Sequence, residues 1–408
     1  MTPDVKGRLA ILAFLIRPPG NKYGAETRYL LTVEAMTRKH ISVIPVTNEK
    51  LISMMKLPAS RVFPVKLTTS PQSILSERLY NYYQSLKMAL SIVIKPLEID
   101  LVVAFDGNLL DMFVSFVSSQ IIRKPFVVLV HHGRGSESTM WKDYPKTVRR
   151  RGLKAATVLT VGRIIQRFIA KRSTLIMAVS RASRNEYSRY WGIPSSHIFV
   201  TANGPNIMVQ NLIPIKERKI DVLYVGRFSP SKGIDLLPLL CKQLVHKYPN
   251  LRMVAVGGSS TDLTSIQKKI AELRLERNFE IKGYLPDSEL EKIVEDSKIF
   301  IMPSYYEGFS IATLEAMCAG CVCIVSDIPS LKQIYSPVAI FATKGDINSF
   351  AQQIDILLSQ PDKMERISTK SKEFSRRYDW NEIIGREIMI YRRIAFYHKN
   401  RRWVSDGT

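Results

Sequence analysis

A chain of 408 residues is too long for one ordinary hydrophobic core, so two domains of roughly 150–200 residues each are expected. Hydrophobic residues at 46% and charged residues at 23% exclude a disordered chain, and no apolar run approaches the ~18 residues that a membrane span needs. The net charge of +23 calls for an anionic partner: a membrane surface, nucleic acid or a phosphorylated substrate. That charge is concentrated, since residues 121–190 hold 16 Lys or Arg against Glu137, Asp143 and Glu186.

The first strand is expected over 8–16, an apolar run that ends at Arg17-Pro18-Pro19 and lacks the form of a signal peptide. A cytoplasmic protein, peripheral on the inner face of the cell membrane, is therefore expected. Strands follow at 40–46, 99–105, 125–130, 174–179 and 197–201, with helices at 25–38, 73–94, 107–121, 155–171 and 181–191. This alternation marks a parallel sheet built from βα units. His131 and His132 stand just beyond the strand at 125–130.

In the helix at 155–171, Val158, Val161, Ile165 and Phe168 recur at helical spacing and are expected to cover the sheet. Arg163, Arg167 and Lys171 recur elsewhere around the same helix, after Arg149, Arg150, Arg151 and Lys154. These cations are expected to meet anionic headgroups or another lipid-borne phosphate.

The first domain is placed at 1–206, ending on Asn203-Gly204-Pro205-Asn206, and a linker at 207–219. A second alternation fills 220–380, with strands at 220–225, 251–257, 278–283, 298–303, 321–326 and 339–342. Helices lie at 233–247, 262–273, 287–296, 311–319 and 347–359, and a last helix rich in Arg and Tyr runs over 381–397 within the closing segment 381–408. Open α/β sheets bind ligands beyond the carboxyl ends of their strands, so chemistry is sought there.

Two motifs sit at such ends. In SYYEGFSIATLEAMCAG (304–320) a strand runs into a loop carrying Glu307, Gly308, Phe309 and Ser310, and a helix then extends to Gly320. The backbone N–H groups around Phe309, Ser310 and Ile311 favour a phosphate at the helix N-terminus, with Glu307 and Glu315 flanking it. In VGRFSPSKG (225–233), Arg227 and Lys232 bracket a Ser/Pro turn and suit a diphosphate clamp. Neither a G-x-x-x-x-G-K-[ST] loop nor a G-x-G-x-x-G fingerprint is present. The spacing of Cys318 and Cys321 lacks a second Cys or His pair, so these are expected as small core residues and not as a zinc site. No Asp-x-Asp occurs, so a divalent cation such as Mg2+ is not demanded.

Together the motifs resemble glycosyltransferase family 4, a retaining family with the GT-B fold, over nearly all of 220–395 and more thinly over 1–206. The resemblance implies two facing Rossmann-like domains, each a parallel sheet flanked by helices, with a C-terminal helix crossing back to the first. It implies that Arg227 and Lys232 hold the donor's diphosphate and that Glu315 accepts hydrogen bonds from the ribose. Glu307 would contact the donor sugar, and KGYLPDSEL (282–290), with Gly283 and Tyr284, would border the base. Either His131 or His132 would lie near the sugar. The family's glycine pair in the first loop is reduced here to Gly24, because Tyr23 replaces its partner. The implied donor is GDP-mannose or a UDP-hexose, and no cofactor is required. A sugar-nucleotide epimerase of the same fold and a basic nucleic-acid-binding protein are the alternatives, the second disfavoured because the basic window lacks interleaved aromatics.

Overall fold

The computed structural model describes residues 9–16, 24–55, 63–65, 83–88, 90–91, 97–131, 153–207, 213–258 and 260–405. The chain divides into two compact units, one of Met1–Ala202 with Trp380–Thr408 and the other of Asn203–Asp379.

The first unit holds strands β1 (Ala10–Leu15), β2 (Ser42–Asn48), β3 (Phe63–Val65), β4 (Leu101–Ala104), β5 (Phe126–Val130), β6 (Leu175–Ala178) and β7 (Ile198–Val200). They form one parallel sheet in the order β3-β2-β1-β4-β5-β6-β7. Its helices are α1 (Gly24–Arg38), α2 (Glu49–Ser53), α3 (Leu109–Ile122), α4 (Leu153–Arg172) and α5 (Arg181–Trp191). Alternate strand residues point to opposite faces. Leu12, Phe14, Val102, Ala104, Val128 and Val130 therefore enter one core, while Ile11, Ala13, Leu15, Val103, Val127 and Leu129 enter another. The second core is completed by Ile384, Ile388 and Tyr391 of the closing helix α13 (Trp380–Ser405), which packs beside α1.

The second unit holds β8 (Ile220–Gly226), β9 (Met253–Gly257), β10 (Phe279–Lys282), β11 (Ser297–Met302), β12 (Val322–Ser326) and β13 (Ile340–Ala342). Their order β10-β9-β8-β11-β12-β13 is again parallel, so β8 and β11 adjoin at the point where the winding reverses. Around the sheet lie α6 (Leu237–Val245), α7 (Ser260–Glu272), α8 (Asp287–Glu295), α9 (Ile311–Cys318), α10 (Pro329–Tyr335), α11 (Ile347–Ser359) and α12 (Pro361–Ser375).

Four elements escape the sequence reading. β3 is three residues long with a proline, tolerated because it is the sheet edge, and α2 is a single short turn capped by Asn48. α10 and α12 each open on a proline, which suits the first helical turn yet reads as a breaker in the sequence. The helix expected over 233–247 starts later, at Leu237, after two 3-10 turns at Pro230–Lys232 and Ile234–Leu236. Of the helix expected at 73–94, only residues 83–88 and 90–91 lie within the described residues, and they are helical.

The linker composition at 213–219 belongs to the second unit. Arg218 is buried there, its guanidinium donating to the carbonyls of Ile213 (3.0 Å), Ser297 (2.7 Å) and Ala319 (2.7 Å). The stripe expected on α4 is corrected in part: Ile165 packs against the first core, but Val161 and Phe168 are exposed, and the buried residues are Ala156, Gln166, Ile169 and Ala170. Arg163 and Arg167 are half-buried, Arg163 lying over the Tyr190 ring at 5.8 Å, while Lys171 is exposed. The Val158 and Lys154 side chains, and Arg149, Arg150 and Arg151, lie outside the described residues.

Candidate active site

The carboxyl ends of β8 and β11 bring Arg227, Lys232 and Glu307 to the reversal point of the second sheet. Lys232 Nζ donates to Glu307 Oε1 at 2.5 Å, and Ser304 Oγ donates to the same oxygen at 3.2 Å. The Glu307 side chain is only 4% exposed, so this ammonium and hydroxyl hold a carboxylate that has largely left water. Ser330 fixes the loop from below by donating to the Glu307 carbonyl, and Tyr305 N–H donates to Ser231 O at 2.9 Å. The last bond ties the glutamate loop to the Arg227–Lys232 turn.

That turn is shaped by Gly233, whose φ of +69° lies in the left-handed region. A Cβ there would stand 2.3 Å from Pro303 O, so only glycine permits the turn to reach the end of β11. Tyr224 supports it from beneath, donating to Arg227 O at 2.8 Å. Burial first, then the Glu307 carboxylate, pushes the Tyr224 phenol well above its ordinary range, with Arg227 pulling the other way. Tyr224 therefore remains a proton donor, and Glu307 and Arg227 both act on one hydroxyl. Arg227 itself is exposed at the rim.

Beyond Glu307, Gly308 and Phe309 are buried and Ser310 caps α9. Ser310 has φ +64°, an unusual conformation for a side-chain-bearing residue, and its Oγ accepts from Thr313 N–H at 3.3 Å. Tyr335 donates to Ser310 O at 2.9 Å. Phe309 sits edge-on to Tyr335 and Tyr378, and these rings with Phe374 form an aromatic bed under the loop. Ile311 opens the helix, and Glu315, one turn on, is buried with Oε1 accepting from Asn206 N–H at 2.9 Å. The described site thus offers cations and a helix N-terminus around a fixed carboxylate.

Gly283 and Tyr284 are exposed just past β10. Gly283 O accepts from Gly257 N–H at 3.1 Å, joining the ends of β9 and β10. Gly257 and Gly258 have φ of +123° and +115°, a glycine pair that the sequence reading passed over, although two adjacent glycines after a strand are its visible signal. Ser304 and Ser330 were also missed as supports of Glu307; Ser330 lies 23 residues from its partner and no local pattern announces it.

His131 and Gly24 belong to the first unit. His131 is buried beyond β5, with Nε2 2.8 Å from Phe105 O at the end of β4, while Gly24 is exposed at the start of α1. A Cβ on Gly24 would meet nothing within 4 Å. His132 and Tyr23 lie outside the described residues.

Among the described residues no group of three or more His, Cys, Asp or Glu is arranged to hold a metal ion. Cys321 Sγ lies 3.2 Å from Ser297 O, and burial pushes its thiol up to about 11, so it is a protonated core residue. No helix is long and apolar enough to cross a membrane, among the described residues.

Residues 210–374, which include Arg227, Lys232, Glu307 and Glu315, match the family model described as Glycosyl transferases group 1. The chain is 30% identical over 175 residues to GDP-mannose:cellobiosyl-diphosphopolyprenol alpha-mannosyltransferase of Xanthomonas oryzae pv. oryzae, covering 42% of this chain and 46% of that protein. It is 23% identical over 235 residues to O-antigen chain mannosyltransferase B of Escherichia coli, covering 53% and 60%. The chain thus spans about half the length of the curated relatives it matches. Among solved structures it is similar to sucrose-phosphate synthase of Thermosynechococcus elongatus, with TM-score 0.75, 18% identity and coverage of 95% and 99%. An Anabaena protein solved with UDP-glucose gives TM-score 0.72 at 18% identity, covering 94% and 98%. At such identities the likeness bears on fold, and the fold is GT-B: two Rossmann-like units with parallel sheets and a closing C-terminal helix.

Proposed function

We propose that the protein is a retaining glycosyltransferase of family 4 that moves a hexosyl group from a nucleoside-diphosphate sugar to a hydroxyl of a lipid-linked acceptor. The observation that carries this reading is the Lys232–Glu307 pair at the joined ends of β8 and β11, beside Arg227 and the start of α9, inside the stretch that matches the glycosyl transferase model. GDP-mannose is the favoured donor because the Xanthomonas relative is named for it, and a UDP-hexose is the second choice. That relative's name also carries a cellobiosyl-diphosphopolyprenol, which supports a lipid-linked acceptor; in this reading the protein works peripherally at the cytoplasmic face of a membrane, with anionic lipid as a partner.

In this reading negative charge grows on the leaving diphosphate as the anomeric C–O bond breaks. Arg227, Lys232 and the N–H groups opening α9 are aimed at that charge, so it is stabilised more in the transition state than in the bound donor. Glu307, held by Lys232 and Ser304, accepts hydrogen bonds from sugar hydroxyls, and Glu315 accepts from the ribose. The acceptor hydroxyl attacks from the face the diphosphate leaves, and a phosphate oxygen takes its proton. No carboxylate pair is needed as nucleophile and acid. Proton NMR of the first product tests the stereochemistry: retention of the donor's anomeric configuration is expected, and an inverted linkage would overturn the mechanism.

A further inference from the structure

Among the described residues helix α4 packs against α3 and α5. Gln166 donates to Gly107 O at 2.9 Å, and a Cβ on Gly162 would stand 3.1 Å from Leu109, so this side is closely seated. The opposite side exposes Leu153 (64%), Val161 (49%), Ile164 (46%) and Phe168 (48%). At 100° per residue these four fall within roughly 80° of the circumference, and at 1.5 Å per residue they extend over about 22 Å. A scatter of single apolar residues would be ordinary; Val161, Ile164 and Phe168 on successive turns of one face, with Leu153 beyond the exposed Thr157, are not.

The charge around the stripe has one sign. Lys171 and Arg172 are exposed at its carboxyl end, and the Arg172 guanidinium lies over the Phe168 ring at 3.6 Å. Leu109 meets Gly162 and Phe116 meets Phe168, so α3 runs parallel to α4 and ends beside the same cations with exposed Ile121 and Arg123. Between Asp143 and Glu186 the sequence contains no carboxylate.

We propose that α4 lies in the interfacial plane of an anionic bilayer, with Leu153, Val161, Ile164 and Phe168 at the headgroup–acyl boundary and Lys171, Arg172 and Arg123 on lipid phosphates. Interfacial helices combine such an apolar face with cationic flanks. A nucleic acid would use the cations and leave the stripe wet. A second copy of this chain docked on the stripe would set its own Lys171 and Arg172 in the field of the same cations. The proposal deepens the lipid-acceptor reading above, but attachment itself does not require transfer activity.

The test is co-sedimentation of the full chain with vesicles of phosphatidylcholine alone or with about one third phosphatidylglycerol, at low and moderate salt. Wild type is expected to favour the anionic vesicles. Ile164→Ser with Phe168→Ser should lower partitioning roughly tenfold or more at moderate salt, through lost apolar burial. Lys171→Gln with Arg172→Gln should erase much of the anionic preference, and Leu239→Ser, an exposed apolar change in the second unit, should bind like wild type. Unchanged thermal midpoints show that the variants are folded. Wild-type retention in the Ile164/Phe168 variant, an intact preference in the Lys171/Arg172 variant, or no preference in wild type would each overturn the proposal. A dimer abolished by the Ile164/Phe168 change would do the same. Nucleotide-diphosphate protection, followed in the same samples, should not differ between wild type and these variants. Its absence from wild type would sink the transferase reading and leave the vesicle result standing.

Discussion

Lys232 and Glu307 stand 75 residues apart in sequence and 2.5 Å apart in space. Each alone is an unremarked surface-type residue; together they form a charged pair fixed by Ser304, with Tyr224 beneath. Arg227→Ala and Lys232→Ala are each expected to lower kcat/KM by about 10²–10³-fold, since lost stabilisation of a developing anion costs about 3–4 kcal/mol of barrier. Glu307→Gln keeps the size but removes the charge that holds Lys232, and it should also depress turnover. Steady-state kinetics with thermal midpoints measured alongside checks this, and near-normal turnover in all three would reject the site. The buried thiols make a separate prediction. Burial pushes Cys318 and Cys321 up to about 11 and Cys241 to about 12, from an ordinary 9.0. The folded chain therefore holds protons that the unfolded chain gives up, and this contribution to stability is full below pH 9.0 and lost as pH rises through about 11. Thermal midpoints should fall on that alkaline side, less steeply in Cys321→Ala than in wild type. Parallel slopes would count against it.

Among the elements, α13 carries the most consequential tertiary contact. Arg28 of α1 and Glu387 of α13 form an ion pair buried in the first unit, where Arg28 also donates to Ala202 O and Thr201 to Glu387. The pair gathers both points at which the chain passes between units, at Ala202 and at Trp380, whose ring lies 5.5 Å from the Arg28 guanidinium. Arg28→Ala strands a carboxylate with no water to solvate it, and the expected cost is about 3–5 kcal/mol. Replacing both partners, Arg28→Met with Glu387→Leu, should recover most of that. Urea denaturation of the single and double variants measures it, and a single variant within about 1 kcal/mol of wild type would show that the pair is idle.

At the scale of the whole molecule, two units share the strand order of a doubly wound sheet without any internal sequence repeat. Only the second places paired cations and a capped helix at its reversal point in the described residues. A nucleoside diphosphate is therefore expected to stabilise Asn203–Asp379, by about 2.7 kcal/mol at a hundredfold excess over Kd. Calorimetry with GDP, UDP and their monophosphates checks this, with larger shifts for diphosphates because the second phosphate is what Arg227 and Lys232 are placed to hold. A midpoint that moves with none of them would reject donor binding in this unit.

The sequence by itself determined the architecture. Short apolar runs alternating with helical periods leave parallel sheets as the means of burying them, and β5, β8, β11, α5 and α11 appear within a residue of where periodicity puts them. It also determined the core of the candidate site, because loop and helix start are local in 304–320 and 225–233. What tertiary structure decided was every pairing across sequence distance: Ser330 under Glu307, Asn206 on Glu315, Arg218 under α9, Arg28 on Glu387. Periodicity in α4 grouped Val161 and Phe168 with Ile165, although the first two face outward and only Ile165 packs against the core. Ala156, Gln166, Ile169 and Ala170 fit closely against the first unit, and the larger Val161, Ile164 and Phe168 are left outside. That choice turns on the shape of neighbouring helices, such as Leu109 of α3 meeting Gly162, and no single helix encodes its neighbour's surface.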